Sequence, residues 1–164
     1  MIEGKVRILG RDINTDMITN GKHFYGAAFA DKLRYTLYDY DPNFGVEYTP
    51  GEILVTGENF GCGSAREIAA IVFKELGVPA ILSESFARTF FRNAINIGLP
   101  IFETPDVTKM FNNGDVAQID PQKGILTNLT TNVSISFLPI PEEIQRIIDL
   151  GGLLPYVVEQ LSNE

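Results

Sequence analysis

The residues best suited to chemistry lie together in Gly57-Glu58-Asn59-Phe60-Gly61-Cys62-Gly63-Ser64-Ala65-Arg66-Glu67, where glycines, a thiol, a hydroxyl and a guanidinium occupy one short loop. Glycines tolerate positive φ and let main chain approach a ligand closely. Ser64 and Glu67 have the S-x-x-E spacing of a capping box, which predicts Ser64 as the N-cap of a helix. The free N–H groups and positive dipole end of a helix start attract an anion. Arg66 adds a flat fork of donors. The pattern therefore predicts a carboxylate or phosphate site with a serine hydroxyl in its middle. A simpler reading stands beside it, in which Ser64 only caps and the glycines only turn. Arg66 weighs against that reading, because a cation in the first helical turn opposes the dipole unless an anion sits between them.

Other chemistries fit less well. No Gly-Lys-Ser/Thr follows the loop, so it is not a P-loop, and Arg66 stands where a dinucleotide fingerprint needs its third glycine. The only histidine, His23, is distant in sequence, so no Ser-His-Asp or Cys-His arrangement is imposed. A serine without histidine still serves as a base if N–H donors and a cation hold its alkoxide. Cys62 reads either as a thiolate or, more simply, as a small buried hydrophobe. Asp12, Asn14, Thr15 and Asp16 form a second polar cluster, suited to Asx-turns and an N-cap or to orienting a catalytic group. Arg88 and Arg92, spaced i, i+4, share a helix face and suit pairing with carboxylates, an anion or a partner chain.

These residues need a scaffold. The spacing predicts strands over Lys5–Leu9 and Ile53–Thr56, a long polar loop over Gly10–Gly21, and a helix over Ala27–Tyr38 with Ala28, Leu33 and Leu37 inward. A helix from Ser64 to Leu76 ends at Gly77, and a second runs from Phe86 to Ile97. Strands at Val78–Leu82 and Leu99–Phe102 alternate with them, which predicts a parallel sheet with right-handed crossovers. Asp115–Asp120, Ile125–Asn128 and Asn132–Leu138 read as antiparallel strands, followed by helices after Pro141 and over Leu153–Leu161. The fold class is therefore α/β, with a partly parallel sheet, flanking helices and C-terminal antiparallel strands.

At 164 residues, 45% hydrophobic and 21% charged, the chain is expected to form one domain, 1–164, with a real core. A net charge of −8 argues against non-specific nucleic-acid binding, although a local cationic pocket remains compatible with it. No stretch reaches the roughly 20 apolar residues of a membrane span. The first residues lack the pattern of a signal peptide, so a cytoplasmic location is expected. A single cysteine rules out an internal disulfide, and no Cys/His cluster has metal-ligand spacing, so no cofactor is expected in this chain.

The loop 57–67 resembles the signature of the small subunits of 3-isopropylmalate dehydratase and homoaconitase, the split members of the aconitase family. Asp12-Ile13-Asn14-Thr15-Asp16-Met17-Ile18, Ser85-Phe86-Ala87-Arg88, Arg92–Leu99 and Gly151-Gly152-Leu153 resemble further blocks of that family, in order along nearly the whole chain. The resemblance implies a swivelling β/β/α domain that works with a separate large subunit carrying a [4Fe-4S] cluster with an open iron site. The cluster iron acts as Lewis acid on the substrate while a small-subunit serine abstracts the proton. That serine corresponds to Ser64, and the substrate-carboxylate arginine to Arg66. Gly63 and Ala65 are implied in substrate contact, with Asp16, Asn59, Cys62 and Arg88 supporting. Ala65 and Ile68 replace a serine and a polar residue usual in the family; Ala65 loses a hydroxyl donor but keeps its N–H.

The segment Lys22-His23-Phe24-Tyr25-Gly26 lacks the arginine that tricarboxylate-specific members carry. Phe24 and Tyr25 suit an isopropyl substituent, whereas Lys22 or His23 would receive a distal carboxylate. The resemblance thus implies a hydro-lyase acting on a small 2-hydroxy di- or tricarboxylic acid, with isopropylmalate favoured over homoaconitate. The large subunit is the expected partner, and the isolated chain is expected to form a homo-oligomer. A non-catalytic anion-binding paralogue and, more remotely, a nucleotide-binding domain are the competing readings.

Overall fold

The computed structural model describes residues 1–24 and 28–162. The elements, in chain order, are β1 (Ile2–Ile8), α1 (Thr15–Ile18), α2 (Gly21–Phe24), α3 (Phe29–Leu33), α4 (Phe44–Glu47), β2 (Ile53–Thr56), α5 (Ile68–Glu75), β3 (Ile81–Ser83), α6 (Arg88–Ile97), β4 (Ile101–Glu103), α7 (Val107–Met110), β5 (Val116–Asp120), β6 (Ile125–Asn128), β7 (Val133–Ser136), α8 (Glu142–Asp149) and α9 (Leu153–Ser162). The strands form one sheet in the order β4-β3-β2-β1-β5-β6-β7. The pairs β1–β2, β2–β3 and β3–β4 are parallel, and the pairs β1–β5, β5–β6 and β6–β7 are antiparallel.

β1 is where the two halves meet. Its first residues pair antiparallel with β5, from Ile2 opposite Ile119 to Lys5 opposite Val116. Its last residues pair parallel with β2, from Val6 opposite Ile53 to Ile8 opposite Val55. This dual pairing is why β1 starts earlier than its alternation predicts. β2 is buried along its whole length, as a parallel strand covered on both faces must be. Leu54 and Ile81 face a core built with α5 and α6, including Ala70, Phe73, Phe90 and Ala94. Ile53, Val55, Leu82 and Phe102 face a second core with Phe111, Ile119, Leu126 and Phe137. Strand alternation thus splits one sheet into two cores. No helix among the described residues is long and apolar enough to cross a membrane.

The α/β class, the mixed sheet and the antiparallel C-terminal strands agree with the sequence reading. Several local expectations need correction. The predicted helix over 27–38 is only α3; beyond it the chain turns repeatedly, with Leu37 at φ 57°. Leu37 is fully buried, its N–H donates to Ile18 O (3.0 Å), and this tertiary anchor overrides helical continuation. Ala28 is exposed, and Ala27 lies outside the described residues. β3 and β4 begin later than predicted, after Pro79 and Pro100, which have no N–H to give to a ladder. Ser64 does not cap a helix: α5 begins at Ile68, with Glu67 at the cap position and no side-chain cap bond.

Candidate active site

The loop that leaves β2 is pinned by main-chain bonds to the loop after β1. Gly57 N donates to Gly10 O (3.1 Å), Gly61 N to Ile13 O (2.8 Å), and Thr15 N to Cys62 O (2.8 Å). Thr56 and Ser83 close the base, donating to Gly10 O (2.7 Å) and Gly57 O (2.7 Å). Phe60 is buried and anchors the turn among Phe73, Phe86 and Phe90, with ring centroids 5.8, 6.1 and 5.2 Å away. Gly61 has φ 77°, and a Cβ there would overlap the Phe90 ring, so both shape and space demand glycine.

Past that anchor the chain turns outward. Gly63 has φ 93°, and a Cβ there would come within 3.3 Å of Thr15 Oγ1. Thr15 is itself buried and donates through Oγ1 to Ser64 O (3.0 Å). This bond holds Ser64 main chain to the start of α1 and accounts for the unformed capping box. Asn14, whose carbonyl side chain accepts from Met17 N (2.9 Å), caps α1 instead. Ser64 and Ala65 are exposed at the apex. Among the described residues the Ser64 hydroxyl makes no side-chain hydrogen bond, which leaves it available to a ligand.

Arg66 precedes α5 rather than occupying its first turn. Its guanidinium pairs with Asp16 Oδ1 at 2.6 Å and donates to Thr19 O (3.2 Å). Its side chain is 35% exposed against 62% for Asp16, so the arginine is the better shielded partner of the two. Beside it opens a cavity of about 340 Å³ lined by Thr19, Gly21, Phe24, Lys32, Arg66 and Ile68. On the other flank, Asn59 sits at φ 62° with its N–H on Ser85 Oγ (2.9 Å) and its side-chain amide on Asp12 Oδ1 (3.0 Å). The Asn59 amide, then Arg11, hold the Asp12 carboxyl below its ordinary value of 3.8. Arg11 also pairs with Glu58 at 2.7 Å, so this flank is neutralised internally.

The structure thus brings Gly63, Ser64, Ala65, Arg66 and Asp16 to one apex and sets Phe24 beside Arg66. Cys62 is half-buried; its Sγ lies 3.9 Å from Asp12 O, and its main chain pairs with Asn14. His23 does not line the cavity; it stacks on Tyr35 (centroids 4.7 Å apart, 13°) and leans on Tyr38. Lys22 is exposed and also does not line it. Arg88 opens α6 and lines a different cavity with Phe86, Phe91, Arg92 and Glu103. Tyr25 lies outside the described residues. Sequence reasoning missed Thr15 as the clamp on Ser64 and Lys32 as a cavity residue. Thr15 carried a signal, being a hydroxyl within the Asn-Thr-Asp run; Lys32 carried none. Among the described residues no group of His, Cys, Asp and Glu is placed to hold a metal ion.

Comparison with known proteins bears on this geometry. The sequence profile of the aconitase C-terminal domain matches residues 15–105. The chain is 43% identical over 162 residues to the 3-isopropylmalate dehydratase small subunit of Moorella thermoacetica, covering 99% of this chain and 98% of that one. It is 42% identical to the protein of the same description from Heliobacterium modesticaldum, covering 97% and 96%. A crystal structure of 3-isopropylmalate dehydratase from Methanocaldococcus jannaschii superposes with a TM-score of 0.88 at 33% identity, covering 97% of this chain and 94% of that one.

Proposed function

The chain belongs to the aconitase C-terminal domain family, and from that premise we propose that it is the small subunit of a 3-isopropylmalate dehydratase. The observation that carries this reading is end-to-end correspondence, 43% identity over 99% of the chain, with relatives of that description. The reaction is a dehydration followed by rehydration: water leaves a 2-hydroxy diacid and returns with its hydroxyl on the neighbouring carbon. Its first half needs a base at a carbon-bound proton and a site that fixes a carboxylate.

Ser64 is the base. It stands exposed at the apex with its main chain clamped by Thr15, so its position is set while its hydroxyl is free. A serine alkoxide is a strong base and needs stabilisation; neighbouring N–H groups of the glycine-rich apex and Arg66 provide it. Arg66 takes a substrate carboxylate, and Asp16 holds the guanidinium in its orientation at 2.6 Å. The main chain of Gly63 and Ala65 flanks Ser64 in sequence and is assigned to substrate contact, and Phe24 with Ile68 supplies an apolar wall for an alkyl substituent.

The site is half a site. A [4Fe-4S] cluster on a separate large subunit supplies Lewis-acid chemistry at the substrate hydroxyl when bound. Among the described residues no group of His, Cys, Asp and Glu is placed to hold a metal ion, which is consistent with a cluster carried by the partner. The complex acts in the cytoplasm, where the reducing environment spares cluster and thiol alike. Mixing the chain with its cluster-bearing large subunit should convert 2-isopropylmalate to 3-isopropylmalate, followed by absorbance of the unsaturated diacid. Turnover of another 2-hydroxy acid in its place, or of none, rejects the assignment.

A further inference from the structure

Lys32 lines the cavity that holds Arg66, yet it reaches it from α3, more than thirty residues away in sequence. It is half-buried, and among the described residues no carboxylate forms an ion pair with it. A half-buried lysine at a cavity wall without a protein anion is an unbalanced charge. The balance inside the cavity makes that matter. Arg66 is already paired with Asp16, so their charges cancel at 2.6 Å. A carboxylate approaching Arg66 alone meets a neutral pair, on a chain whose net charge of −8 repels it at long range. Lys32 restores one positive charge to the cavity. Thr19, Phe24 and Ile68 give the remaining wall no ionised group.

We propose that Lys32 is a substrate-binding residue, sharing with Arg66 the anionic end of a dicarboxylate held in this cavity. The inference rests on the functional reading above and adds the cation that makes the pocket attractive to an anion. Arg66 supplies direction through its planar fork, while Lys32 supplies net charge through a mobile ammonium. Phe24 and Ile68 flank both and select an apolar substituent beside the charged end.

The test is steady-state kinetics of the complex with its large subunit, using 2-isopropylmalate. Lys32→Gln should raise KM about tenfold to a hundredfold, the range for losing one charged hydrogen bond, with kcat little changed. Lys32→Arg should keep KM close to wild type, which a purely structural role of the butyl stem would not require. The wild-type KM should rise with ionic strength more steeply than that of Lys32→Gln. Wild-type turnover with KM unmoved by Lys32→Gln overturns the inference alone. A KM that rises equally for Lys32→Arg and Lys32→Gln also overturns it. Absence of wild-type turnover overturns the functional reading and this inference together.

Discussion

At the scale of single residues, the apex separates the groups that hold shape from the group that is left free. Thr15, Asn14 and Asp16 come from one short segment and secure, in turn, Ser64 main chain, the start of α1 and the Arg66 guanidinium. Ser64 is exposed, and no protein partner depends on its hydroxyl among the described residues. Ser64→Ala should therefore leave the fold and subunit assembly intact, with an unfolding midpoint within a degree or so of wild type. In the assembled complex it should lower kcat by about a hundredfold to ten-thousandfold, the usual range for removing a general base. Full kcat in that variant rejects Ser64 as the base; a collapse of stability rejects its description as a free apex group. Much of this was legible beforehand. Serine, glycine and arginine in one loop announce an anion site by type alone. The true partner of Arg66 was not legible, because the sequence offered a helix dipole as the nearest electrostatic feature and the structure supplies Asp16 instead. Lys32 was hidden for a different reason: its relation to Arg66 exists only after α3 is folded against the loop before α5.

At the scale of elements, the loop after β2 is held by sterics as much as by hydrogen bonds. Gly61 is the tightest point, with positive φ and the Phe90 ring where a side chain would begin. That ring is locked edge-on to Phe60 at 86°, and both belong to the core beneath α5 and α6. Gly61→Ala must therefore both strain the backbone and displace a buried ring. A loss of about 3 kcal/mol or more is expected, the level reached when strain and overpacking combine. In a protein of this size that lowers the melting temperature by roughly 6–12 °C. Gly114→Ala is the matched control, since Gly114 has φ 86° with nothing within 4 Å of an added Cβ. It should cost only the left-handed penalty, about 1–2 kcal/mol. Equal melting temperatures for the two variants would show that the Phe90 contact carries no weight. The elements themselves were legible in proportion to their local signals. β2 announces itself as a short apolar run, α5 by its helical spacing and β5 by its alternation. The capping box at Ser64 and Glu67 misled because Thr15, a residue remote in sequence, takes Ser64 O and delays the helix to Ile68.

At the scale of the whole molecule, the two halves differ in strand direction but share β1. Val6 lies in the second core with Ile53 and Val55 of the parallel half and Ile119 and Leu126 of the antiparallel half. A strand that completes both ladders, together with a core fed from both, leaves neither half a complete fold. The parallel half without β5 would expose the apolar flank of β1 and an unpaired edge. The site sits on the parallel half, so its stability is borrowed in part from strands that carry none of its residues. This coupling makes a definite prediction. Leu126 on β6 is fully buried, and Leu126→Ala should destabilise by about 2–5 kcal/mol through lost burial and the cavity left behind. All six tyrosines lie outside β5, β6 and β7, so tyrosine fluorescence reports on the other part of the chain. If the molecule unfolds as one unit, urea midpoints from tyrosine fluorescence and far-UV circular dichroism coincide in wild type and shift together in Leu126→Ala. A tyrosine midpoint that stays at the wild-type value while the dichroism midpoint falls would mean that the halves unfold separately, and β1 would then be a shared boundary rather than a shared support.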